Sequence, residues 1–142
     1  MDSLNKIKQF EENENTWFSF FSDFQDMGYA QILMNEKLAN DILYNHATSI
    51  NCSSQEATEV LHRIASRFRR KRIAQCFFFT PLTSPSGFKE ILGDNGFKDW
   101  DYLHVMEYTG LDTNLQKNSI LVKRVGMESM KKWVRIFSNS FD

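Results

Sequence analysis

The chain has 142 residues, of which 17 are Lys or Arg and 18 are Asp or Glu, for a net charge of −1. This length suits one domain with a real hydrophobic core, and the near-neutral balance offers no bulk field for nucleic acid or an anionic membrane. Two cysteines, Cys52 and Cys76, and three scattered His give neither a disulfide framework nor metal-ligand spacing. A polar start ("MDSLNKIKQFEENEN") and no apolar run near the ~20 residues of a bilayer span complete the expectation of a soluble, reduced, cytoplasmic domain.

The first third is acidic and aromatic, within a chain carrying 13 Phe. "SLNKIKQFEENENTWFSFFSDFQDM" predicts a short helix, a break near Asn13–Asn15 and a second helix from Thr16. Trp17, Phe20, Phe21 and Phe24 fall at i, i+3, i+4 and i+7. That stripe is either a helical lid packed on a sheet or an exposed aromatic groove for a partner. "YAQILMN" and "DILYNHATSI" predict two strands joined at Glu36–Asn40 as a hairpin. A helix follows from Ser53 to about Arg72, its buried stripe Ala57, Val60, Leu61, Ile64, Ala65 and Phe68. "AQCFFFTPL" predicts a central strand covered on both faces, ended by Pro81. Ser84 is placed to cap the helix "PSGFKEILGDNG", with Pro85 in its first turn.

"WDYLHVMEY" predicts a half-buried strand, "LDTNLQKNS" a polar connector and "ILVKRV" another strand. The last element, "MESMKKWVRIFSNSF", predicts a helix with Met130, Trp133, Val134 and Phe137 on one face. The fold class is α+β, a mixed, mostly antiparallel sheet flanked by helices. Residues 1–112 form one domain, and 113–142 a connector with a strand and a helix.

This order, with "FFFTPLTSPSGFKEILGDNGFKDWDYLHVMEY" carrying the likeness, resembles the GNAT family of N-acetyltransferases over roughly residues 29–110. In that family a central strand leads to a helix ending in Gly-Phe and then to a returning strand. Gly96 and Phe97 stand at that end, the Gly as left-handed cap and the Phe packing back. The resemblance implies acyl transfer from acetyl-CoA to an amine. It also implies a loop Gln/Arg-x-x-Gly-x-Gly/Ala whose N–H groups cradle the pyrophosphate. The corresponding stretch "INCSSQEAT" has neither Gly nor Arg. It has instead Ser53-x-x-Glu56, a capping box, and Glu56 and Glu59 put negative charge where a pyrophosphate would lie. The family's Tyr acid, four residues before the Gly, is replaced by Leu92.

Tyr102 and Tyr108 are therefore the remaining candidates for a general acid, and Ser53 and Ser54 for holding CoA. "ILVKRVGMESMKKWVRIFSNSFD" resembles the opening strand and helix of another acetyltransferase domain. By analogy with tandem proteins whose first domain is degenerate, the chain reads as a first domain and the start of a second. The expectation is a non-catalytic domain that itself needs no cofactor. Its partner is a second acetyltransferase domain, or a second copy bound through the C-terminal strand and helix. Two alternatives stay open. One is a divergent single-domain enzyme binding acetyl-CoA at Ser53–Ser54, with Tyr102 or Tyr108 as acid. The other is an interaction module using the acidic aromatic N-terminal region or a basic patch.

Cys76, on the apolar run, reads as a buried small hydrophobe. Cys52, just before the capping box, is the better candidate for a reactive thiol, with Glu56 opposing it and His46 as a conceivable base. His104 falls on the strand "WDYLHVMEY". "RFRRKR", residues 67–72, is either a polyanion patch or a helix end whose cations complement the dipole, with the acidic N-terminal third against it. Phe68 belongs to the buried stripe and no other aromatic residue is interleaved as a stacking platform, so the helix-end reading is preferred and nucleic acid is not expected.

Overall fold

Gln31–Met34 forms the middle strand of a three-stranded antiparallel sheet, and its alternation sorts the fold into two faces. The computed structural model describes residues 3–102 and 126–139, and the chain divides after Asp101 into two units. In the first, helix α1 (Ser3–Ser19) leads to β1 (Asp23–Asp26), β2 (Gln31–Met34), a 3-10 turn (Glu36–Leu38) and β3 (His46–Thr48). Helices α2 (Ala57–Lys71) and α3 (Phe88–Asp94) follow. The mixed α+β class and the β2–β3 hairpin are as expected from the sequence.

Ile32 and Met34 point to the face covered by α2, and Ile32 lies opposite Ala47. Ala57, Val60, Leu61, Ile64, Ala65 and Phe68 are all buried, as the period of 3.6 predicts. Each fully buried large apolar side chain contributes roughly 1.5–3 kcal/mol, so this contact holds the domain together. The helix ends at Arg72, whose φ of 57° is left-handed. Its N–H donates to Arg69 O and that of Ile73 to Phe68 O, both at 3.0 Å. Most such ends carry Gly.

The other face carries Gln31, Leu33, His46 and Thr48, with α1 over it. Helix α1 is continuous, which corrects the expected break at Asn13–Asn15. Asn disrupts a helix when its amide competes for the backbone. The buried Asn15 amide instead donates to Gln31 Oε1 at 2.5 Å and Ser49 Oγ at 3.4 Å. Glu11 accepts from Ser49 Oγ at 3.2 Å and from the Thr80 hydroxyl, extending this polar seam.

The aromatic stripe is a second correction. The helix stops at Ser19, Phe24 belongs to β1, and the inward-facing ring is Phe18. Trp17, Phe20, Phe21 and Phe24 are between 42% and 75% exposed, so they form no packed lid. Trp17 meets Phe21 edge-on at 5.2 Å, and Phe21 meets Tyr44 at 5.8 Å.

β3 is shorter than "DILYNHATSI" suggested, because buried Asn45 turns the preceding residues into a knot. Its Nδ2 donates to Leu38 O at 2.6 Å and Asp41 O at 2.9 Å, while its Oδ1 accepts from Asn35 N at 2.6 Å. A three-residue strand leaves little edge for a neighbour. "AQCFFFTPL" accordingly makes only a parallel bridge, Phe77 beside Ala47, and no regular strand. Its rings still turn both ways, Phe77 to Phe97 at 5.2 Å and Phe78 stacked on His46 at 4.0 Å.

Ser84 does not cap α3, because its backbone is engaged elsewhere. Ser84 N donates to Ile50 O at 2.9 Å, and Ser84 O accepts from Cys52 N at 3.1 Å. The helix begins at Phe88 behind Gly87. At its far end Gly96 has φ +85°. Gly96 N donates to Gly93 O and Phe97 N to Leu92 O, and Phe97 packs on the core. The Gly-Phe cap is thus as expected.

The second unit contains a 3-10 turn (Met127–Ser129) and helix α4 (Met130–Ser138), on which Met130, Trp133 and Val134 are exposed. The expected strand "ILVKRV", the connector, His104, Tyr108 and the Phe137 side chain lie outside the described residues. Among the described residues no helix is long and apolar enough to cross a membrane.

His46 gives this architecture a pH signature. Its ring stacks on Phe78 and meets Phe18 edge-on, with Nδ1 3.2 Å from Ile42 O, and burial lowers its pKa to about 4. The folded value lies below the unfolded one, so this stability is fully present above pH 6.5 and is lost as the pH falls toward 4. Denaturant unfolding should lose about 2–3 kcal/mol between pH 7.5 and 4.5 from this group alone. The difference between the native chain and His46→Phe measures it, and equal slopes for both would contradict the assignment.

Candidate functional site

The turn that precedes α2 carries the Ser53-x-x-Glu56 pattern. Ser53 N donates to Glu56 Oε2 at 3.2 Å, Glu56 N to Ser53 Oγ at 3.3 Å, and Ser53 Oγ to Glu56 Oε2 at 2.6 Å. The capping box is therefore closed. It sits at the expected residues but closes the turn ahead of the helix: α2 starts at Ala57 and not at Ser53, Glu56 is its N-cap without a side-chain cap bond, and Val60 N donates to Glu56 O at 2.8 Å. The Ser53 hydroxyl and backbone N–H hold the Glu56 carboxyl below its ordinary pKa.

Beside this turn lies a cleft of about 110 Å³ lined by Tyr29, Asn51, Cys52, Glu56, Glu59 and Arg63, with Val60 at its base. Pockets that take drug-sized ligands run from about 300 to 1,000 Å³. Two of the lining groups are carboxylates, and Arg63 is held by Glu59 at 2.5 Å. The cleft is too small and too acidic for a nucleotide-sized anion. Two amide donors that a phosphate would use, Ser53 N–H and Glu56 N–H, already have partners in the turn. Ser54 stands exposed next to them.

The remaining candidates do not converge here. Leu92, at the position of the family's Tyr acid, is 4% exposed and belongs to the core. Tyr102 is 68% exposed, and Tyr108 lies outside the described residues. Burial, seconded by the Glu56 charge, pushes the Cys52 thiol pKa up, and its Sγ donates to Ser84 O at 3.7 Å. This corrects the reactive-thiol candidate, because a raised pKa removes the thiolate. His46 is engaged by Ile42 O and two Phe rings, so no base is offered to Cys52. Cys76 is half-buried, and its thiol pKa is also raised by burial. Among the described residues no cluster of three or more His, Cys, Asp or Glu could hold a metal.

The basic run splits by helical face. Lys71 Nζ reaches Glu36 at 2.7 Å and Asp23 at 3.8 Å, so part of the acidic N-terminal third does lie against it. Arg67 donates to Gln25 Oε1 at 3.0 Å, and Arg69, Arg70 and Arg72 are exposed. Reading residues 67–72 as one block missed Arg63 and Tyr29. The signal that finds Arg63 is its i, i+4, i+7 spacing with Arg67 and Arg70.

Removal of the capping hydroxyl tests the turn. Ser53→Ala should lower stability by about 1 kcal/mol in denaturant unfolding, and an unchanged midpoint would show that the box contributes nothing. Compared with family models, curated proteins and solved structures, the chain matches none.

Proposed function

We propose that this chain is a non-catalytic, GNAT-like N-acetyltransferase domain of the cytoplasm that supports a second acetyltransferase domain, helping to form its acceptor cleft. The resemblance in element order and the Gly96-Phe97 helix end support the family. The observation that carries the non-catalytic half is the closed Ser53–Glu56 box, which occupies donors with the protein's own side chains and sets a carboxylate where the resemblance would put the cofactor. Buried Leu92, where a proton donor would stand, supports the same half. Acyl transfer from acetyl-CoA to an amine then belongs to the partner domain. The exposed apolar residues of α4, Met130, Trp133 and Val134, suit a contact with that domain or with a second copy.

Thermal unfolding with acetyl-CoA and with CoA tests this reading. A ligand at a hundred times its dissociation constant adds about 2.7 kcal/mol of stability. The expected result is no shift attributable to the start of α2, in the native chain or in Glu56→Gly. A shift that Ser53 or Glu56 substitutions alter would instead support the divergent enzyme, with Tyr102 or Tyr108 as acid.

A further inference from the structure

Arg63, Arg67 and Arg70 stand at i, i+4 and i+7 and share one face of α2 over about 10 Å. They line an open groove of about 570 Å³ whose other wall includes Met27 and Tyr29, with the Ser66 hydroxyl among the arginines. Gln25 holds the half-buried Arg67 from one side, leaving most of its N–H groups unspent. Arg70 is exposed and has no hydrogen-bond or ion-pair partner among the described residues. Solvated helix faces commonly intersperse carboxylates at i±3 and i±4. Arg67 and Arg70 have none there, and Arg67 faces Arg63 and Arg70 at those very spacings. Like charges so placed repel one another along the helix, against the favourable position of Arg70 in its last turn near the negative end of the dipole, and an anion in the groove relieves that repulsion.

The charge of the groove also limits what fits. Arg67 and Arg70 leave the helix from Cβ atoms about 5–6 Å apart, a spacing that suits neighbouring phosphoryl groups, which Arg binds in a bidentate way. Glu59 closes the N-terminal end of the row, with Glu56 beyond it, and the whole chain is at −1. A polyanion extended toward the start of α2 would meet Glu59 and Glu56. We propose that this groove binds a compact polyphosphate-bearing ligand, with Arg67 and Arg70 each gripping a phosphoryl group and Ser66 donating beside Arg70. Tyr29 and Met27 form an apolar wall for the ligand's organic part. This proposal does not rest on the acetyltransferase reading, and it concerns the outer face of α2 rather than its N-terminus.

The test is titration of the whole chain with inorganic tripolyphosphate at about 10 mM salt, where charge attraction persists unscreened to about 30 Å, followed by calorimetry and thermal midpoint. Saturable binding is expected. Arg70→Ala should weaken it about tenfold, the loss of one charge-assisted contact, whereas Arg69→Ala, an adjacent cation outside the groove, should leave it unchanged. A nucleoside triphosphate that binds more tightly than tripolyphosphate supports the proposal and assigns the organic part to Tyr29. Equal binding supports recognition of the phosphates alone. A shift with acetyl-CoA that Arg70→Ala abolishes likewise belongs to the groove and leaves the capped helix start intact. No saturable binding, equal losses from Arg69→Ala and Arg70→Ala, or tighter binding of a single-stranded oligonucleotide would each overturn it.

Discussion

The first unit depends on one contact, the apolar stripe of α2 laid on the sheet face that carries Ile32, Met34 and Ala47. Once Leu61, Ile64 and Phe68 are turned inward, the rotation of the helix is set, and every other side chain follows from it. Lys71 is brought to the sheet edge, where Asp23 and Glu36 wait, and Arg63, Arg67 and Arg70 are carried to the open side. The start of the helix is fixed by the same rotation, which buries Ala57 and leaves Ser53 and Glu56 exposed to cap each other. Packing, rather than any charged group, therefore determines which parts of α2 meet solvent.

The opposite face is organised differently. Helix α1 is joined to the sheet by amide and carboxylate bonds from Asn15 and Glu11, with Phe18 against His46. Hydrogen bonds of this kind contribute only about 0.5–1.5 kcal/mol each, but they are directional and fix the register of α1. Of the aromatic rings nearby, Trp17 on the outer side of α1 and Phe20, Phe21 and Phe24 beyond its end stay exposed.

What was legible in the sequence followed from strong local signals. The stripe of α2, the hairpin, the Gly96-Phe97 end and the Ser53–Glu56 box each rest on residues within one turn or one period. The readings that failed depended on distant partners. Asn15 looks like a helix breaker until Gln31 and Ser49 accept its amide, and Ser84 looks like a cap until Ile50 and Cys52 take its backbone. In a chain this rich in Phe, a helical spacing of rings such as Trp17, Phe20, Phe21 and Phe24 arises by chance. The candidate site was half legible. Its capping box could be read directly, but the Arg groove was hidden by treating residues 67–72 as contiguous charge instead of by helical face.

The claim on which the functional account turns is that donors at the start of α2 are occupied in the free protein. Amide hydrogen exchange at Ser53 and Glu56, followed residue by residue, examines it most directly. The account predicts that both amides exchange more slowly than in an unstructured chain, and that acetyl-CoA leaves them unchanged. Because Glu56 is held below its ordinary pKa, the protection should persist above that range and fade as the pH falls through the lowered value. Exchange at the unstructured rate, with both amides becoming protected only when acetyl-CoA is added, would contradict it.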